Sequence, residues 1–171
     1  MTPRFRVAGL LGLIATARAH AEDRYDHRGA LGLLIGPGYA LKDEVVNSVV
    51  EEGFAIPLTL GGTVAVGDNG NEVLVETFTL LGGRHLDLGL AAGYRGYFGD
   101  ERVKTFITLE LAGHLSPQFT VGPRAGLGVQ YELSPTVGTF ALLAADLGYG
   151  AALRFTAEVS VGLQLRTYLL E

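Results

Sequence analysis

The sequence predicts an all-β protein, an eight-stranded antiparallel up-and-down transmembrane β-barrel. Three observations carry that reading. Residues 29–171 divide into segments of alternating apolar and polar residues, each closed by Gly, Asp, Asn, Pro or Ser turn chemistry. The polar face of those segments holds charges and glycine. The aromatic residues of the apolar face fall into two groups with an aliphatic band between them.

The chain opens with a processing signal. "MTPRFR" carries Arg4 and Arg6, "VAGLLGLIATA" is a short apolar run, and "AHA" at 19–21 has the small-x-small form. That order is a secretory signal peptide over 1–21, cleaved after Ala21, and it competes with an amphipathic or core helix over the same residues. A short N-terminal segment, 22–28, follows. It holds Asp23, Asp26 and His27, whose irregular spacing reads as a solvated tail rather than a metal site.

The barrel occupies 29–171. Its strands are expected at 29–41, 53–67, 71–82, 84–98, 102–115, 118–133, 136–150 and 153–168. The breaks are "GDNGN" at 67–71, "GG" at 82–83, "GDER" at 99–102, "SPQ" at 116–118, "SPT" at 134–136 and "GAA" at 150–152. The one longer connection, "KDEVVNSVVEEG" at 42–53, has room for a helical turn and is the best candidate for a surface recognition loop. No helix-period segment of convincing length remains, nor any apolar run of about 18 residues that would cross a bilayer as a helix.

The last strand shows the two faces. Phe155, Ala157, Val159, Val161, Leu163 and Leu165 alternate with Arg154, Thr156, Glu158, Ser160, Gly162, Gln164 and Arg166. Alternation alone does not say which face meets water. Glycine weakens a solvated strand but suits a narrow eight-stranded barrel, where side chains share limited room. The apolar-face aromatics Tyr39, Phe54, Phe119, Tyr149 and Phe155 fall toward the upper rim, and Tyr94, Phe98 and Tyr131 toward the lower. Two girdles around an aliphatic band match a bilayer with two interfaces. The competing class is a secreted soluble barrel that binds a ligand, with its apolar face inside.

The polar face then lines the lumen. Arg95, Lys104, Glu110, Arg124, Glu132, Asp146, Arg154, Glu158 and Arg166 form a ladder of ion pairs there. Its alternative readings are a proton or ion path and a structural filling, and the second is preferred because charges shut away from water pair with one another. The chain has a net charge of −5 and no basic patch, which excludes nucleic acid as a partner. It has no Cys, so disulfide and thiolate chemistry are excluded. No cofactor is expected: "GLGVQYEL" follows no strand-to-helix transition of the kind a phosphate loop needs.

Over 29–171 the pattern resembles the small outer-membrane β-barrel proteins of Gram-negative bacteria, the OmpA/OmpX-like group. The final strand, "SVGLQLRTYLL", resembles the C-terminal signal that such proteins present to the outer-membrane assembly machinery. The resemblance implies a monomer in the outer membrane, surrounded by lipid and lipopolysaccharide. Its role would be structural or interactive: adhesion, resistance, or binding of lipid or small apolar ligands. "GHLS" at 113–116 resembles instead the His-x-Ser pair of PagL-type lipid A deacylases, also eight-stranded barrels. That resemblance implies Ser116 as nucleophile, His114 as base and Glu132 as the available acid. Parity puts His114 and Ser116 on the lumen side, and "SPQ" explains Ser116 as a turn residue.

Overall fold

A computed structural model describes residues 30–46, 49–66, 70–82, 86–99, 102–134 and 136–168. The expected signal peptide, the 22–28 segment with Asp23, Asp26 and His27, and His85 lie outside the described residues. Eight strands follow one another: β1 (Ala30–Val46), β2 (Val49–Val66), β3 (Asn71–Leu81), β4 (Asp87–Phe98), β5 (Val103–Ser116), β6 (Thr120–Ser134), β7 (Val137–Gly150) and β8 (Leu153–Tyr168). Each pairs antiparallel with its sequence neighbours, and β8 closes on β1 with Leu33 opposite Leu165 and Val45 opposite Leu153. Closure removes the two edges an open sheet would expose. No described helix is long and apolar enough to cross a membrane.

Side-chain alternation is carried through the wall. Along β6 and β7, exposed Leu127, Val129, Leu143 and Leu147 alternate with buried Arg124, Gln130, Leu142 and Asp146. Large aliphatic side chains face outward on every strand with described side chains, among them Leu109 and Leu111 at 63% and 62% exposure. Arg95, Arg154, Gln130 and Glu132 are fully enclosed at 0%. This inverts a soluble core, where charged residues stay outside.

The lumen is also aromatic, which the charge ladder did not anticipate. Phe78 pairs across the sheet with Gly89, Phe106 with Gly128 and Phe140 with Gly162. A Cβ on Gly128 would lie 2.1 Å from Cζ of Phe106, and one on Gly89 2.1 Å from Cζ of Phe78. Each ring thus lies across a neighbouring strand that has no side chain in its way. The glycines seat rings and do not merely save room.

Two expectations are corrected. The described parts of the 42–53 connection, 42–46 and 49–53, are strand rather than loop or helical turn. β1 and β2 continue into it and pair, with Lys42 opposite Gly53, Asp43 opposite Glu52, Glu44 opposite Glu51 and Val46 opposite Val49. β-branched Val45, Val46, Val49 and Val50 favour extended pairing there. β4 begins at Asp87 rather than at 84, and Gly82 before it takes a φ of 139° that favours glycine.

Candidate functional site

The lumen is the site with chemistry. Because β1 runs upward from the N-terminal side, the lower ends are those near Ala30, Asn71, Phe98, Ser134 and Tyr168. There Arg166 is the hub. Its Nη1 donates to both oxygens of Glu132 at 2.9 and 3.0 Å, its Nε to Glu72 Oε1 at 3.2 Å, and its Nη2 to Gln164 Oε1 at 2.7 Å and the Tyr97 hydroxyl at 3.2 Å. Gln164 Nε2 donates on to Glu72 at 2.8 Å and Thr63 at 3.2 Å. The Tyr97 hydroxyl donates to Gln130 Oε1 at 2.8 Å, and Gln130 donates to Glu132 at 2.6 Å. Five strands, β2, β3, β4, β6 and β8, are tied together by these bonds. Lys104, across from Gln130, is buried in the same lower region.

Above this network Arg95 lies 4.5 Å from the centre of the Phe106 ring, a cation–π contact, and reaches Glu72 and Glu76 at 3.9 Å. At mid-height Arg124 bonds Glu158 and stands 3.8 Å from both Glu110 and Glu76, with Phe78 against its guanidinium. Near the upper rim His114 lies between two aspartates, Nε2 at 3.0 Å from Asp146 and Nδ1 at 3.4 Å from Asp87, while Arg154 holds Asp87 at 2.7 Å. All nine charged residues expected in the ladder are buried. Asp87, Gln130 and Gln164 share the ladder's polar face by parity, while Glu72, Glu76 and Tyr97 are partners that the ladder lacks, although Tyr97 shares the parity of Arg95.

His114, Ser116 and Glu132 do not come together. Both ring nitrogens of His114 face aspartates, the Ser116 hydroxyl donates to the Leu86 carbonyl at 3.2 Å, and Glu132 is bound to Arg166 at the opposite end of the barrel. The parity reading for Ser116 is also corrected. The register shifts between Leu88 and Gly89, so His114 stands across from Gly89 but Ser116 across from Leu88, which faces outward. One extra residue, Leu115, moves the pair onto different faces, as a β-bulge does. No three or more His, Cys, Asp or Glu among the described residues are arranged to hold a metal ion.

Of the expected girdle residues, Tyr39, Phe119, Tyr149, Phe155, Tyr94, Phe98 and Tyr131 are exposed. The Phe54 side chain lies outside the described ones. Tyr39 sits well below the end of β1, because that strand runs on to Val46.

No family model matches the chain, and no curated protein matches it. Solved structures do. The chain is similar to Neisserial surface protein A (NspA), with 16% identity, a TM-score of 0.56, and coverage of 82% of this chain and 100% of that one. It is similar to the outer membrane protein OprG from Pseudomonas aeruginosa, with 10% identity, a TM-score of 0.56, and coverage of 85% and 100%. It is similar to Ail, the attachment invasion locus protein of Yersinia pestis, with 12% identity, a TM-score of 0.54, and coverage of 82% and 99%. Ail has also been solved in complex with the heparin analogue sucrose octasulfate. Identities this low speak for architecture, and the strand order and closure are the same kind: the chain has the fold of the small eight-stranded outer-membrane β-barrels.

Proposed function

We propose that the chain works as a monomeric barrel in the outer membrane of a Gram-negative bacterium, with a side-chain-filled lumen, no catalytic role, and a structural or surface-interaction function. The observation that supports this best is the inversion of faces: Leu109, Leu111, Leu127 and Leu143 outward, Arg95, Glu132 and Arg154 inward. Outer-membrane lipid and lipopolysaccharide surround the apolar belt, and the exposed aromatics seat at its two interfaces. A cleavable signal peptide exports the chain, and the outer-membrane assembly machinery inserts it. No cofactor and no nucleic acid take part.

The lumen holds the wall together and carries no solute. The Arg166 network and the Phe106 and Phe140 rings stand across the path. Surface interaction then belongs to the β1–β2 hairpin. Ail takes a polyanion, the heparin analogue. Asp43, Glu44, Glu51 and Glu52 in this hairpin favour a partner of the opposite charge.

Membrane fractionation and gel migration before and after boiling test the location. The protein is expected in the outer-membrane fraction, with heat-dependent mobility. Planar-bilayer recordings are expected to show little or no steady conductance. Recovery in the soluble periplasmic fraction, or a large stable channel, would overturn this reading.

A further inference from the structure

Charged groups from four strands meet at the upper end of the lumen. His114 of β5 stands between Asp87 of β4 and Asp146 of β7, and Arg154 of β8 meets the second oxygen of Asp87. β4 and β8 are four strands apart in a ring of eight, so the Arg154–Asp87 contact crosses the lumen from wall to wall. All four side chains are buried, as are Thr120 across from His114 and Thr156 across from Asp146. The Phe78 ring of β3 packs edge-on against the imidazole, with ring centres 5.0 Å apart. Arg124 of β6 stands across from Asp146 but bonds Glu158. Lys42 and Glu44 of β1 stand in register with Thr156 and Arg154, and their opposite charges leave the balance unchanged.

This geometry calls for a charged ring. Nε2 of His114 lies 3.0 Å from an Asp146 oxygen and Nδ1 lies 3.4 Å from an Asp87 oxygen. An ionised carboxylate only accepts, and a neutral imidazole has a single N–H. With a neutral ring, one carboxylate would face a nitrogen lone pair. The imidazolium donates to both. It also balances the group, two carboxylates against one guanidinium and one imidazolium. Without the ring proton, a net negative charge is left shut away from water, and entering water relieves it. A guanidinium keeps its proton, so the ring is the member of the group that can change state on the basic side.

We infer that His114 is a proton-operated latch: its imidazolium ties β4 to β7 across the upper lumen, and loss of the ring proton opens that end of the barrel to water. The network around Arg166 below is built from carboxylates, amides and a phenol, with no histidine among its partners, and it stays shut. What opens is a vestibule and not a channel.

The chain has no Cys, so Thr120→Cys places a single thiol beside the latch. The Thr120 hydroxyl has no hydrogen-bond partner among the described residues, and the substitution breaks none there. The full mature chain in lipid nanodiscs, with its heat-dependent gel mobility intact, is treated with a small water-soluble thiol reagent from about pH 6 to about pH 10. The same is done with His114→Gln added. At the low end, labelling is expected to be roughly tenfold slower with His114 than with Gln, and at the high end the two rates should meet, because loss of the ring proton makes the barrels alike. Comparing the two at each pH cancels the ionisation of the thiol, and a free thiol measured in parallel corrects the His114 barrel by itself. Nitrogen NMR of the imidazole needs no substitution at His114. It is expected to show protons on both ring nitrogens while the thiol is shielded and on one after opening. Equal rates at low pH, or a thiol that stays shielded at every pH at which the barrel is folded, would overturn the latch. So would a ring with one proton in the shielded state. A steady conductance that appears together with labelling would also overturn it, since the lower network would then have opened as well.

Discussion

The lower and upper halves of the lumen are built from the same residue types and are bonded differently. Below, Arg166 shares its donors among Glu132, Glu72, Gln164 and Tyr97, and two amides and a phenol take up the remaining lone pairs and protons. At mid-height and above, Arg124 attracts three glutamates and bonds one of them. One oxygen of Glu76 and the hydroxyls of Thr120 and Thr156 make no hydrogen bond among the described residues. A buried ion pair offsets its desolvation only when further hydrogen bonds complete it. Side chains long enough to reach across, Gln130, Gln164 and Tyr97, complete the lower network. The threonines above are shorter, and Glu76 keeps an oxygen that no hydrogen bond completes among the described residues. Stability contributed by the lumen is therefore expected to be concentrated below.

The largest effect expected from this contrast is that of Arg166→Met. It removes the guanidinium from between Glu72 and Glu132 and should cost about 3–5 kcal/mol in chemical unfolding from lipid vesicles. A loss under about 1 kcal/mol would show that the lower network is decoration rather than a tie between strands. Gln164→Leu comes next. It leaves Thr63, Glu72 and Arg166 each short of a partner, at an expected cost of about 1–3 kcal/mol by the same measurement. The smallest is Thr120→Val. That hydroxyl is fully buried with no hydrogen-bond partner among the described residues, so an isosteric methyl should leave stability within about 0.5 kcal/mol or raise it. Equal losses for Gln164→Leu and Thr120→Val would erase the difference between the two halves.

Much of this fold is legible in the sequence, because a two-residue period has few competing readings once turn chemistry brackets each segment. β8 spans 153–168 as expected, and β3, β5, β6 and β7 shift by two residues or fewer. Legibility fails where the period is not what organises the chain. "KDEVVNSVVEEG" mixes charge and valine without alternation, and only the register reveals that it is a hairpin. Parity misplaces Ser116 because it counts residues and cannot see that Leu115 is an extra one. The lumen aromatics carried the right parity throughout: Phe106 lies between Lys104 and Glu110, and Phe78 two residues from Glu76. Charge alone does not mark them, because a buried ring carries none. Their seats, Gly89, Gly128 and Gly162, were read as a sign of crowding, and the crowding has specific rings as its cause.

The account depends most on which face meets lipid, and two substitutions separate the possibilities. Gly126 faces the lumen, where a Cβ would lie 2.7 Å from both Leu142 Cδ1 and Thr108 Oγ1. Ala157 belongs to the outward face of β8, between exposed Phe155 and Val159. Unfolding midpoints of Gly126→Leu and Ala157→Leu, measured in lipid vesicles against the parent, give the most direct test. The account predicts a loss of about 1–3 kcal/mol for Gly126→Leu, from overpacking a filled lumen, and a near-neutral or slightly favourable Ala157→Leu. A destabilised Ala157→Leu beside an unharmed Gly126→Leu would mean that the apolar face is the packed core and would contradict the membrane barrel.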